Sequence, residues 1–189
     1  MIPASFEYSR PQSVGEALKM LADDSAQALA GGHSLIPAMK LRLNQPGTLV
    51  DVARLGELRF IRRDRGTLII GASSTHHEIA NSSDVANAIS MLAEGADHIG
   101  DPAVRNKGTL GGSIAHADPA ADWPAMMLAV NASIVMASPK GERKVRAEEF
   151  FQGFFMTALE EGELITHVEI PVPSGEYRSA YHCGLCRDG

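Results

Sequence analysis

Two glycine pairs in similar short surroundings constrain this chain most. One stands in Ala30-Gly31-Gly32-His33-Ser34-Leu35 and the other in Gly108-Thr109-Leu110-Gly111-Gly112-Ser113, roughly eighty residues later. Glycine loses more conformational freedom on folding than any other residue, so a fold that keeps such pairs uses them for a turn or a close backbone approach. Successive N–H groups without neighbouring Cβ atoms can form a nest for an anion. The serine that ends each motif adds a hydroxyl donor. A helix starting directly after the first motif adds a favourable dipole. On spacing alone, a tight turn explains each pair as well as a phosphate cradle does.

The surrounding pattern supplies the elements. Ser13-Val14-Gly15-Glu16 has the capping-box form. It opens a helix with Val14, Ala17, Leu18 and Leu21 on one face. Residues 26–30 read as a strand running into the first glycine pair. Leu35, Met39 and Leu43 keep helical spacing, with Pro37 tolerated in the first turn, and residues 48–52 read as a strand. Hairpins are expected at Arg65-Gly66 and at Pro139-Lys140-Gly141. Helices are expected over residues 75–81 and 84–100 and from about Ala121 to Ala129, a helical turn over 148–155, and a strand over 162–172. Strands joined by short turns imply a largely antiparallel sheet, so the class is α+β. The expected division is a small α/β subdomain over residues 1–57, a larger α+β subdomain over 58–178 and a tail over 179–189.

Composition excludes several functions. The chain has 189 residues, 44% hydrophobic and 21% charged, which is ordinary for a globular protein. Its net charge of -6 and lack of a Lys/Arg block argue against nucleic acid as a partner. No apolar run approaches the roughly 20 residues of a membrane span. The N-terminus lacks a signal-peptide pattern, so a cytoplasmic protein is expected. The two cysteines, Cys183 and Cys186, form one C-x-x-C pair. A structural zinc site or a two-iron cluster takes four ligands, which His182 does not complete, so the pair reads as incidental.

The familiar catalytic and nucleotide patterns are missing. There is no G-x-x-x-x-G-K-[ST], no G-x-G-x-x-G after the first strand, and no G-x-S-x-G around Ser34. No catalytic nucleophile and no metal site are expected. His76 and His77 are adjacent, so on a helix they diverge by about 100° and suit shared metal binding poorly. His33, inside the first glycine motif, can contact a ligand. Asp118 can cap the helix that follows it. Asp122 can accept hydrogen bonds from ribityl or ribose hydroxyls, or simply favour the helix dipole.

Three blocks, AGGHSLIPAMKLRLNQPGTLVDVARLGEL, IGDPAVRNKGTLGGSIAHADPAADWPA and GELITHVEIPVP, resemble in that order the FAD-binding medium subunits of molybdenum hydroxylases. This is the family of the carbon monoxide dehydrogenase medium chain and the xanthine dehydrogenase flavin domain. The resemblance spans about Ile2 to Tyr181. It implies a two-subdomain fold of the PCMH, vanillyl-alcohol-oxidase-like type that clamps FAD in an extended pose. It assigns Ala30, Gly31, Gly32, His33, Ser34 and Leu35 to one pyrophosphate loop and Thr109, Leu110, Gly111, Gly112 and Ser113 to the other. Asp122 matches an acid on the cofactor's polar chain, Leu164 a position near the flavin or adenine, and Tyr181 an aromatic that covers the isoalloxazine ring. Electrons are expected to arrive from 2Fe-2S clusters of a small partner subunit, downstream of a large molybdopterin-binding subunit, and to leave through FAD to an external acceptor. Family members continue beyond the tyrosine with a basic stretch and a further domain of about a hundred residues. The sequence here ends at Gly189, so that domain is expected to be missing. Two alternatives stay open: a truncated remnant that folds without flavin, and a stand-alone flavin oxidase.

Overall fold

In the computed structural model, which describes residues 2–182, the first part of the chain builds a small parallel sheet. Strands β1 (Glu7–Ser9), β2 (Ala26–Leu29) and β3 (Thr48–Asp51) lie in the order β1-β3-β2, with β3 parallel to both neighbours. Parallel neighbours need crossovers, and α1 (Val14–Met20) and α2 (Leu35–Lys40) supply them. Ser13 caps α1 by accepting the Glu16 amide at 3.2 Å, but the Glu16 carboxylate reaches past it to the Gln12 amide at 2.7 Å. The expected capping box is therefore only half formed. A complete one sits at Thr75 and Glu78, which hold each other's amides at 3.2 and 2.8 Å. Patterning misses β1, because three residues show no alternation and only pairing with β3 makes them a strand. Helix α2 stops short of Leu43, since Arg42 turns to a φ of 59°.

The rest of the chain surrounds a five-stranded antiparallel sheet ordered β4-β5-β10-β6-β7. β4 (Ile61–Asp64) and β5 (Thr67–Gly71) form the expected hairpin, with Arg65 and Gly66 at φ of 43° and 84°. Two positive φ values in a two-residue turn match the right-handed strand twist. β6 (Ser133–Ser138) and β7 (Gly141–Arg146) form the second hairpin, and β10 (Leu164–Pro171) inserts between β5 and β6. The short β8 (Phe151–Gly153) and β9 (Met156–Thr157) pair apart from this sheet.

Helices α3 (His76–Ala80), α4 (Ser83–Ala88), α5 (Ser90–His98), α6 (Pro102–Arg105), α7 (Leu110–His116), α8 (Asp122–Ala129) and α9 (Ala147–Phe150) complete this part. The helix expected over 84–100 breaks at Ile89, whose backbone is extended at φ -149° and ψ 91°. The break lets Ile89 bury its side chain. Ala121 rather than Asp118 stands at the N-cap of α8, and the Asp118 carboxylate instead accepts the Ala120 amide at 2.9 Å. The larger core gathers Ile70, Ile79, Leu92, Trp123, Phe150 and Val168. A smaller core joins α1 and β3 to Leu164, at the head of β10.

Two buried polar arrangements pin this frame. Arg143 on β7 donates through Nε and Nη2 to the two oxygens of Glu163, at 2.6 and 2.7 Å. Burial alone would raise the Glu163 carboxyl, but Arg143 and the Glu160 amide outweigh it and hold the pKa below the usual range. The second arrangement is the Trp123 indole N–H, which donates to His76 Nδ1 at 3.0 Å inside the larger core. Indole nitrogen only donates, so Nδ1 is an acceptor and neutral His76 carries its proton on Nε2. Burial pushes the His76 pKa down to about 4; Asp122 opposes that shift and His33 adds to it.

Glu163→Gln should lower the unfolding free energy by about 1–3 kcal/mol, read from the urea midpoint at pH 7. His76 gives a pH-dependent expectation. Below its ordinary value of 6.5 the unfolded chain takes up a proton that the folded chain refuses until about pH 4. Its contribution therefore withdraws up to about 3 kcal/mol of stability as pH falls through that window, and nothing above pH 7. The loss between pH 7 and pH 4.5 should be smaller in His76→Gln than in the parent. Equal losses would remove His76 as a cause.

Candidate functional site

The two sheets face each other across a cleft of about 970 Å³. That volume lies at the upper end of the roughly 300–1,000 Å³ typical of ligand sites. Both glycine motifs line it. The first follows β2 and the second follows α6, so one wall comes from each half of the fold. Ser73 ties the halves at the base, its hydroxyl donating to the Val52 carbonyl at 3.3 Å.

The glycines of the first motif have distinct reasons. A Cβ on Gly31 would lie 2.1 Å from the Lys107 carbonyl oxygen, so the two motifs touch backbone to backbone here. Gly32 has a φ of +73°, a conformation that L side chains rarely adopt. Beyond it, the amides of Gly32, His33, Ser34 and Leu35 find no acceptor among the described residues. These are free donors where the chain enters α2. His33 Nδ1–H donates to the Gly31 carbonyl at 2.9 Å, which folds its ring over the loop.

The second motif is not a loop. Thr109 is the N-cap of α7, and Gly111 and Gly112 lie in its first turn. Its amides are already engaged: Leu110 to Ser74, Gly111 to Ala72, and Gly112 and Ser113 to Thr109. A Cβ on Gly111 would sit 2.5 Å from that of Ala72, so this glycine serves packing between α7 and β5. A Cβ on Gly112 would meet only the Thr109 hydroxyl, at 2.8 Å. Gly112 is exposed on the cleft, and Ser113 beside it presents a hydroxyl.

Ala30, Gly31, Gly32, His33, Ser34, Leu35, Thr109, Gly111, Gly112, Ser113 and Leu164 all line the cleft. Leu110 does not, since its side chain is fully buried in the larger core. Asp122 and Tyr181 also lie outside the lining. The Tyr181 hydroxyl donates to Asp122 Oδ1, and its ring packs 5.5 Å from that of His98 on α5. Sequence reasoning passed over two lining residues. His76 is 4% exposed, and only its place after the Thr75 cap signalled a helix start. Phe155 is the one Phe, Tyr or Trp in the lining among the described residues, held at a φ of 56° with its ring 5.2 Å from that of His116.

The lining contains Asp24, Glu160, Glu161 and Glu163, and among the described residues no lysine or arginine. An anion here meets amide N–H groups and hydroxyls rather than a fixed cation. No group of three or more His, Cys, Asp or Glu side chains able to hold a metal occurs among the described residues. None of their helices is long and apolar enough to cross a membrane. Cys183 and Cys186 lie outside the described residues.

Comparison with known proteins agrees with this geometry. Residues 4–173 match the family described as the FAD binding domain in molybdopterin dehydrogenase. The carbon monoxide dehydrogenase medium chain of Hydrogenophaga pseudoflava is 47% identical over 173 residues, which are 90% of this chain and 60% of that one. The glyceraldehyde dehydrogenase medium chain of Sulfolobus acidocaldarius is 42% identical over 190 residues, 100% of this chain and 67% of that one. The solved carbon monoxide dehydrogenase of Hydrogenophaga pseudoflava, in the form lacking the Mo-pyranopterin moiety, superimposes with a TM-score of 0.90 and covers 92% of this chain and 61% of its own. This chain thus spans about 60% of the length of the first of these relatives. With the two-sheet α+β architecture and both glycine motifs in place, the chain belongs to the family of FAD-binding domains of molybdopterin dehydrogenases.

Proposed function

We propose that the chain binds FAD in the cleft between its sheets and serves as the flavin-carrying part of a molybdopterin-dependent oxidoreductase. One observation carries this reading. Four free amides, Gly32 to Leu35, face the same cleft as exposed Gly112 and the Ser113 hydroxyl. Such donors suit a pyrophosphate, whose oxygens take charge-assisted hydrogen bonds. The residues present fit the group: Gly32 to Leu35 hold one side of the phosphates, Ser113 and Thr109 the other, and Leu164 offers apolar surface. FAD, when bound, supplies the ability to take up and release electrons. The protein's part is to bind and orient it.

The wider assignment rests on the family. A large molybdopterin subunit oxidises the substrate, and a small subunit with 2Fe-2S clusters passes the electrons to this chain's flavin and on to an external acceptor. The chain's two cysteines are fewer than the four that one such cluster takes, so the clusters belong to a partner.

Titrating the purified chain with FAD should give saturable binding, seen as a perturbed flavin absorption spectrum. A chain that leaves the spectrum unchanged at millimolar FAD is not a flavin carrier. Two glycine variants separate binding from packing. Gly112→Val should weaken FAD about tenfold or more with little change in unfolding free energy, because its side chain points at the cleft and at one hydroxyl. Gly31→Ala should instead lower the stability of the flavin-free chain by about 1–3 kcal/mol, because its Cβ meets a carbonyl that cannot move alone.

A further inference from the structure

His76 lies where the two motifs touch, yet nothing above uses it. Its ring is 4% exposed and lines the cleft. Trp123 occupies Nδ1 at 3.0 Å, which leaves the proton on Nε2. That Nε2–H has no partner among the described residues. It is not sealed in the core either, because Ser179 Oγ is the one fully buried side-chain nitrogen or oxygen there without a partner. Gly108 shows which way the ring edge faces: a Cβ on it would lie 2.6 Å from Nε2 and 2.8 Å from Cδ2. The same Gly108 Cα lies 2.8 Å from where a Gly31 Cβ would stand. The donor edge of His76 is therefore packed against the seam between the two glycine motifs.

A histidine kept only to satisfy Trp123 needs an acceptor and nothing more. Here the second nitrogen is turned to the cleft wall, against a glycine with no side chain to cover it. We propose that His76 is a positioning residue of the cofactor site, its Nε2–H donating to an oxygen of the phosphate–ribityl chain of bound FAD. This rests on the flavin reading above. A neutral donor suits a wall without lysine or arginine: it adds a directed hydrogen bond and no charge. The charged and titratable groups around it are Asp122, one residue before Trp123, and His33, across the seam. Trp123 orients the ring as well as fixing its tautomer, so the donor is aimed before the ligand arrives.

The test uses the whole chain with its histidines labelled with nitrogen-15, titrated with FAD. Before addition, His76 should show the Nε2–H tautomer. Saturating FAD should move its Nε2 resonance and leave the tautomer unchanged. Two variants separate the two ring nitrogens. His76→Asn keeps an acceptor near the Nδ1 position and removes the Nε2 donor, so it should weaken FAD about tenfold or more. His76→Gln returns an N–H to the Nε2 position and should recover affinity to within about threefold of the parent. An Nε2 resonance unmoved by saturating FAD overturns the proposal, as does a His76→Asn chain that binds FAD like the parent. If His76→Asn does not fold, the parent's spectrum decides. A parent that takes up no FAD overturns the flavin reading and this proposal with it, whereas a parent that binds FAD with Nε2 unmoved overturns this proposal alone.

Discussion

Backbone contacts closer than any side chain permits hold the two sheets of this protein at one separation. Gly31 lies against the Lys107 carbonyl, Gly111 against Ala72, and Gly71 against the Leu58 carbonyl, where a Cβ would stand 2.4 Å away. Each contact joins segments distant in sequence. Together they set the width of the cleft, and that width decides what the free amides of Gly32 to Leu35 can reach from across it. Packing at these points resembles a crystal more than a liquid, so a single methyl group is felt as strain rather than absorbed. The glycine pairs thus do two jobs. One glycine of each pair, Gly31 and Gly111, brings the walls together; Gly32 turns the chain toward its free amides and Gly112 leaves the cleft open.

The electrostatics of the cleft follow from the same economy. A net charge of -6 and four lining carboxylates make this a poor place to attract an anion from a distance. Short-range donors do the work instead. Hydrogen bonds to charged oxygens are worth roughly 1.5–3 kcal/mol each, and donors fixed in a loop need no reorganisation to deliver them. Glu163 is neutralised by its pairing with Arg143, so the carboxylate nearest to Leu164 presents little uncompensated charge to the cleft. His76 fits this scheme as a neutral group, because its burial works against the cation.

Local chemistry was the legible part. Positive-φ turn residues placed the Arg65-Gly66 hairpin, and the helices beginning near Leu35 and Asp122 follow from periodicity and position after a turn. Features governed by distant partners were not legible. Three residues become β1 only because β3 lies beside them, and the helix over 84–100 breaks because Ile89 gains burial by leaving it. The second glycine pair reads as a loop, yet Thr109 caps it into α7 and hands its amides to Ala72 and Ser74. At the site, the lining role of both motifs and of Leu164 matches the reading from resemblance. Phe155 and His76 lie outside that reading, since a phenylalanine in a short hairpin and one of two adjacent histidines carry no local signal of a shared cleft.

By itself, the sequence determined the family, the α+β class and the two motifs, because each is written in residue type and spacing along the chain. The tertiary structure decided which glycine serves which purpose, which amides stay free and which nitrogen of His76 carries the proton. The reason is physical. These properties depend on contacts between residues such as Gly31 and Lys107, or His76 and Trp123, whose separation in space is set by the packing of two sheets and by no local preference of either residue.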